Sequence, residues 1–303
     1  MSDVVAIRDL TKSYGDVRAV DGISFTVGAG EVFGLVGPNG AGKTTTWEIL
    51  EGLRQADRGE VFVAGVDMRK DRRKLHERIG VQLQATALFE RLTARETLEV
   101  FGGMYPKHLP ADDLLKLVNL EEKADDWTEK LSGGQKQRLA VALALVNDPD
   151  VVFLDEPTTG LDPQARRSLW DVIAKLRDTG KTIMLTTHYM EEAERLCHRV
   201  GVMDHGKILA LDEPGELIRK LQQRDAIEFA VDGDSKPFGT LPGVDEMRVE
   251  DGRVTLYTRE LERTLTGVFD DARRRGLLVE DLHVRNASLE DVFLQLTGRR
   301  IRE

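Results

Sequence analysis

The stretch EVFGLVGPNGAGKT, Glu31 to Thr44, decides the fold. Its first six residues form a short, mainly apolar run that reads as a strand. Lys43 to Leu50 reads as a helix closed by Gly52, a residue that tolerates the left-handed conformation at a helix end. Between them GPNGAGKT, Gly37 to Thr44, has the spacing of a phosphate-binding loop. Gly37, Gly40 and Gly42 let the backbone wrap with its amides inward, and Pro38, Asn39 and Ala41 complete the turn. The positive helix end adds attraction for an anion. Lys43 supplies a point charge for β- and γ-phosphates, Thr44 offers a hydroxyl to Mg2+, and Thr45 reaches an α-phosphate.

A phosphate loop needs a carboxylate to hold the water shell of its metal. VVFLDE, Val151 to Glu156, supplies one: four apolar residues read as a buried strand, and Asp155 emerges at its carboxyl end, beside the loop in a parallel sheet. Glu156 is then the candidate that orients or deprotonates an attacking water. Successive residues leave a strand on opposite sides, so one carboxylate serves the metal while the other faces the water.

Outward from these two motifs, strand and helix signals alternate. Residues 4–8 and 24–27 read as short strands of an N-terminal antiparallel β subdomain. Asp71 to Asn119 has helical periodicity and reads as a helical insertion, with Thr93 and Glu96 as a capping box and Pro110 opening another helix. Gly102-Gly103 interrupts that helical stretch. After Val151–Leu154 come a helix from Pro163 to Arg177, a buried strand at Thr182–Thr186 and a helix after Tyr189, the alternation of a parallel sheet covered on both faces. Val200–Met203 and Lys207–Leu211 flank Asp204-His205-Gly206 as a hairpin.

The pattern restarts near Leu221 to Asp225. Strands at 226–231, 244–250 and 253–258 follow, the last two joined by Asp251-Gly252. A helix from Glu260 to Arg275 stops at Gly276, Leu277–Val284 reads as a strand, and Ser288 with Asp291 caps a last amphipathic helix carrying Leu289, Val292, Phe293 and Leu296. The expected fold class is α/β. A phosphate-loop NTPase core with an N-terminal antiparallel β subdomain and a helical insertion occupies residues 1–222, and a small α+β module occupies residues 223–303.

Composition excludes several classes. The chain has 303 residues, 41% hydrophobic, enough for one large domain or two without disulfides. A lone cysteine, Cys197, forms neither an internal disulfide nor a cysteine-rich zinc site. The longest apolar run, Leu139 to Val146, falls far short of the roughly 20 residues of a membrane span. With that cysteine content a reducing cytoplasm is the default expectation, and the opening MSDVVAIRDL lacks the basic start and apolar stretch of a secretory signal. The net charge of -10 divides evenly on either side of Arg224, and nucleic acid, which needs a concentrated positive face, is not an expected partner. Trp47 and Trp170 read as core or interface residues, and Trp127 as a residue bordering a partner surface.

LSGGQKQR, Leu131 to Arg138, resembles the signature of one family, the ATP-binding subunits of ABC transporters. Residues 3 to about 222 carry each motif of that family once and in order. Physically, Ser132, Gly133 and Gly134 precede the helix Gln135–Asn147, so their amides form a second anion site. The resemblance implies ATP and Mg2+ as ligands, and two copies paired head to tail, the Ser132–Gln135 end of one closing on the nucleotide held by the other. It implies that Tyr14, in KSYGD, stacks on adenine and that Gln84 touches Mg2+ and the water, with Gln82 an alternative. It further implies that Asp162, in Gly160-Leu161-Asp162, contacts the partner copy and that His188 reaches the γ-phosphate.

NASLEDVFLQLTGR, Asn286 to Arg299, resembles the C-terminal extension of exporter subunits similar to daunorubicin-resistance ATPases. That extension modulates dimerisation, contacts a partner or simply adds stability. The implied function is an ATPase at the cytoplasmic face of the membrane. It powers a separate permease that docks near Gln84 and the helical insertion and exports a drug, antibiotic, lipid or other small molecule. Three rivals are a soluble ATPase of the same superfamily acting on nucleic acid or the ribosome, a regulatory nucleotide sensor, and an importer. The first usually has two nucleotide domains or a long coiled coil, and the second does not need Asp155, Glu156 and His188 together.

Overall fold

The computed structural model describes residues 3–83, 88–220, 225–250 and 252–298, without the side chains of Arg72 and Arg73. These fall into two compact units, the first made of the chain up to Pro214 together with the stretch from Leu296 onward, the second running from Gly215 to Gln295. Residues 221–224, where the sequence places the boundary, lie outside the described residues.

The first unit opens with β1 (Asp3–Tyr14) and β2 (Val17–Gly28), each longer than its short apolar segment suggested. Val5 and Ile7 on β1, and Ile23, Phe25 and Val27 on β2, are buried at alternate positions, the period of a strand with one face on the core. The chain crosses to a second sheet as β3 (Val32–Val36), enters α1 (Lys43–Leu50), and returns as β4 (Arg58–Val63) and β5 (Val66–Asp67). The first sheet is antiparallel, in the order β2-β1-β4-β5.

Next come α2 (Arg72–His76), β6 (Ile79–Gln82), α3 (Ala94–Gly102), α4 (Ala111–Leu117), α5 (Gly133–Leu143), β7 (Val151–Asp155), α6 (Pro163–Asp178), β8 (Thr182–Thr187), α7 (Met190–Leu196), β9 (Arg199–Asp204) and β10 (Lys207–Asp212), while α8 (Pro214–Lys220) belongs to the second unit from Gly215 on. The second sheet has the order β10-β9-β3-β8-β7-β6, parallel except for the β9–β10 hairpin. Every residue of β3, β7 and β8 is buried, as parallel strands covered on both faces require. Trp47 and Trp170 are fully packed core residues, Trp47 meeting Phe153 edge-on at 6.2 Å.

One expectation is corrected. Asp71 to Asn119 is not wholly a helical insertion, because β6 is an edge strand of the parallel sheet, in register with β7 from Ile79↔Val151 to Gln82↔Leu154. Its glycine explains the placement: a Cβ at Gly80 would lie 1.6 Å from the carbonyl oxygen of Ala144. The helical part proper is α3 to α5. Thr93 and Glu96 form the expected capping box at the start of α3, and Pro110 is the N-cap of α4. Gly102-Gly103 ends α3 rather than interrupting a helix.

The second unit contains β11 (Asp225–Val231), β12 (Val244–Glu250), β13 (Arg253–Thr258), α9 (Leu261–Arg275), β14 (Val279–Arg285) and α10 (Leu289–Thr297). Its antiparallel sheet runs β12-β13-β11-β14. Ile227, Phe229, Phe238, Val254, Leu256 and Val268 form its core. β12 and β13 pair up to Glu250↔Arg253, while Asp251 of the expected turn lies outside the described residues. Asp291 takes a hydrogen bond from Ser288 N–H at 2.9 Å, and it also accepts from Tyr257 Oη and the Arg285 guanidinium. Arg285 in turn reaches Glu228 at 2.8 Å, a polar staple between α10 and the sheet.

Candidate active site

β3 delivers the chain to a tight loop that only glycine permits at two points. A Cβ at Gly37 (φ 156°) would lie 2.1 Å from the Met203 carbonyl oxygen, and one at Gly42 (φ 106°) 2.2 Å from that of Ala19. No side chain caps the start of α1, so its first amides, which have no intrahelical acceptor, remain donors for an anion. Asn39, Gly40 and Thr44 are exposed, Pro38 and Thr45 half-buried, and Ala41 buried. The Lys43 ammonium is 4% exposed and donates to the carbonyl oxygens of Gly37 (2.8 Å) and Pro38 (3.1 Å). Burial pushes its pKa down, against the opposing pull of Glu156 and Asp155.

β7 ends at Asp155, buried, which accepts a hydrogen bond from Thr186 Oγ1 on the neighbouring β8. Burial raises the pKa of Asp155, and the Thr186 hydroxyl works against that rise. Glu156 follows in the left-handed region (φ 46°), a conformation costly for a residue with a Cβ. Its N–H donates to the same Thr186 Oγ1 (2.9 Å) and to the Thr186 carbonyl oxygen (3.2 Å). The turn carries the Glu156 carboxylate to 3.8 Å from Lys43 Nζ and 3.3 Å from His188 Nδ1, and Thr159 Oγ1 donates to it at 3.2 Å. The His188 imidazole, then burial in opposition, then the Lys43 charge set its pKa, with a net lowering. Glu156 is thus held as a carboxylate.

Lys43, Asp155, Glu156 and His188 therefore form one connected cluster, with Thr186 joining the two carboxylates. Sequence reasoning did not single out Thr186, whose role depends on the register Asp155↔Thr186 between β7 and β8. Ser132 is the exposed N-cap of α5 and forms a capping box with Gln135: its Oγ accepts from Gln135 N–H (3.3 Å), and Gln135 Oε1 accepts from Ser132 N–H (2.8 Å). Gly133 and Gly134 thus make the first helical turn, and α5 begins two residues before the expected Gln135. Asp162 caps α6, accepting from the N–H groups of Gln164 and Ala165 at 2.9 Å each.

Tyr14, at the end of β1, is 41% exposed. Its ring is braced by Lys12 (5.6 Å) and Arg54 (5.2 Å), which are paired in turn to Asp57 and Glu48. Gln84 lies outside the described residues. The alternative, Gln82, ends β6 at 1% exposure; its Nε2 donates to the Leu83 carbonyl at 2.6 Å, and its Oε1 is buried without a hydrogen-bond partner. Trp127 is 45% exposed, with Lys130 over its ring.

Fold and site together define a nucleotide-hydrolysing phosphate-loop protein. Residues 20–159 match the ABC transporter family, and residues 227–288 match the C-terminal domain described as that of ABC transporter domain-containing protein-like. The chain is 43% identical to Nod factor export ATP-binding protein I of Ralstonia nicotianae, over 99% of this chain and 95% of that protein. It is 42% identical to the protein of the same name from Sinorhizobium fredii, over 100% and 88% of the two. Among solved structures it resembles a dimeric ATP-binding cassette in a post-hydrolysis state bound to ADP and Pi, with TM-score 0.62 and 28% identity over 69% of this chain and 98% of the other. It also resembles cbiO1 of Clostridium perfringens, part of the ABC transporter complex cbiONQ, with TM-score 0.65 and 30% identity over 73% and 95%. The chain belongs to the ABC transporter family, as an ATP-binding subunit that hydrolyses ATP. The nucleic-acid and ribosome alternative fits none of these relatives.

Proposed function

We propose that two copies of this chain close head to tail around two ATP molecules, and that closing and reopening drive a separate membrane permease that exports a small molecule. One observation carries the reading. The chain has two helix ends prepared for phosphate on different elements: the uncapped start of α1 beside Glu156, and the exposed start of α5 at Ser132 to Gly134. The dimeric relative supports the pairing, and the names of the full-length relatives support export. No helix among the described residues is long and apolar enough to cross a membrane. In this reading the chain is bound to the cytoplasmic face through its permease. A cavity of about 400 Å³ lined by Leu53, Phe101, Tyr105 and Leu83, the last of which precedes Gln84 in sequence, supports docking there.

The donors available for Mg2+ are the Asp155 carboxylate and the Thr44 hydroxyl. An all-oxygen set completed by phosphate and water suits this ion. Bound Mg2+ would neutralise charge between the β- and γ-phosphates. Lys43 exchanges its bonds to the Gly37 and Pro38 carbonyls for phosphate oxygens. Glu156, kept ionised and fixed by Thr186 and Thr159, orients the attacking water and accepts its proton. His188 and the partner copy's α5 start face the γ-phosphate, where charge gathers during transfer. Tyr14 stacks on the base.

Glu156→Gln tests this directly. The variant binds ATP with near-normal affinity, accumulates as a nucleotide-bound dimer and loses turnover by about 100-fold or more. Near-normal ATPase activity would remove Glu156 from its role.

A further inference from the structure

α6 packs against the start of α5 and reaches towards His188. A Cβ at Gly134 would meet the Ala165 side chain at 2.8 Å, so the first turn of α5 rests directly on the first turn of α6. The next residue, Arg166, turns its guanidinium over the Tyr189 ring, 3.8 Å from the centroid, with its Nε buried and without a hydrogen-bond partner. The same guanidinium lies near enough to the buried Glu192 carboxylate to favour its charged form, so the ring contact adds to an electrostatic one. The Tyr189 ring lies 4.2 Å from that of His188, and His188 Nδ1 lies 3.3 Å from Glu156 Oε2. Beneath the stack, fully buried Glu192 of α7 accepts from Trp170 Nε1 of α6 at 2.8 Å, fastening the two helices together.

We propose that Arg166 and Tyr189 are positioning residues: through the stack Arg166–Tyr189–His188 they tie the placement of the histidine beside Glu156 to the position of the α5 start. This rests on the composite site proposed above, in which that start closes on the nucleotide of the partner copy. Engagement of one ATP then sets the histidine at the other ATP, so the two sites of a dimer hydrolyse cooperatively. Neither residue touches nucleotide in this account.

The test uses full-length protein: ATPase rate against ATP concentration, binding of a fluorescent ATP analogue, and melting temperature. Wild type gives a Hill coefficient above 1. Tyr189→Leu, which removes the ring, and Arg166→Met, which keeps length without charge, lower kcat by about tenfold. Both bring the Hill coefficient towards 1 and leave analogue affinity within about twofold. Tyr189→Phe, which keeps the ring, restores both rate and cooperativity, a rescue that a loss of folding would not show. Tyr189→Leu with wild-type kcat and cooperativity, or Tyr189→Phe as impaired as Tyr189→Leu, overturns the proposal. Should Tyr189→Leu fail to melt cooperatively, Arg166→Met and Tyr189→Phe decide by the same criteria. A wild type that neither dimerises with ATP nor shows cooperativity contradicts the composite site itself. A cooperative wild type beside an unimpaired Arg166→Met contradicts the positioning role alone.

Discussion

Thr186→Val replaces a buried hydroxyl by a methyl group of nearly the same volume, so it opens no cavity and isolates two hydrogen bonds. The hydroxyl donates to Asp155 Oδ1 and accepts from Glu156 N–H at 2.9 Å. Glu156 N–H keeps a second acceptor, the Thr186 carbonyl at 3.2 Å, so its loss is partial. The Asp155 carboxylate is buried and loses its hydroxyl donor outright, at a cost of about 1–3 kcal/mol. For a unit of this size the melting temperature falls by about 2–4 °C per kcal/mol, so this loss lowers it by about 2–12 °C. Burial already raises the pKa of Asp155, and the Thr186 hydrogen bond restrains the rise. Without it the carboxylate takes up a proton more readily, so the Mg2+ requirement of the ATPase increases, and more so as pH falls. Thr186→Ser, which keeps the hydroxyl, retains most of the activity. Thermal melts without nucleotide and Mg2+ titrations of the ATPase at two pH values provide the assay. A Thr186→Val protein with unchanged melting temperature and Mg2+ requirement would refute the bridging role.

Ser132→Arg places a long cation on the exposed start of α5 and prevents ATP-induced pairing while monomers still bind nucleotide; sedimentation with ATP that shows an unchanged dimer argues against a shared site. Glu51, buried beside Asp155 and Glu48, has its pKa pushed up from 4.5 to about 8, mainly by burial and then by those charges. Between those pH values the folded chain holds a proton that the unfolded chain has released, so stability declines as pH rises, with a slope approaching about 1.4 kcal/mol per pH unit. Glu51→Gln removes that slope and gains on wild type from pH 5 to pH 8, and denaturation midpoints offset by a constant amount would contradict this. A chain ending at Arg224 folds, melts cooperatively and binds nucleotide, because the buried core of the first unit is built from residues between Val5 and Met203, and an insoluble product would place the boundary elsewhere.

The elements that carry the candidate site were legible because their signals are local. Glycine spacing from Gly37 to Gly42, the apolar run ending at Asp155 and the Ser132–Gly134 lead-in to a helix each mark one element and its neighbour, although the last helix starts two residues earlier than read. β6 was missed because Ile79–Gln82 is only four residues long and sits among helix-period residues; its strand character comes from pairing with β7, which sequence spacing does not encode. The same holds for β4 and β5, which close the antiparallel sheet on β1. Thr186 and the Arg166–Tyr189 stack depend on register and on helix packing, so threonine in an apolar strand and arginine on a helix carry no sequence mark of their use. Asp162 was assigned to a partner contact, and the structure shows what its carboxylate does within one chain: it caps α6.

The decisive measurement is a crystal structure of Glu156→Gln grown with ATP and Mg2+. Each γ-phosphate is expected to touch Lys43 of one copy and the Ser132–Gly134 turn of the other. A single chain whose own serine-glycine turn and own lysine grip the same terminal phosphate would contradict the account.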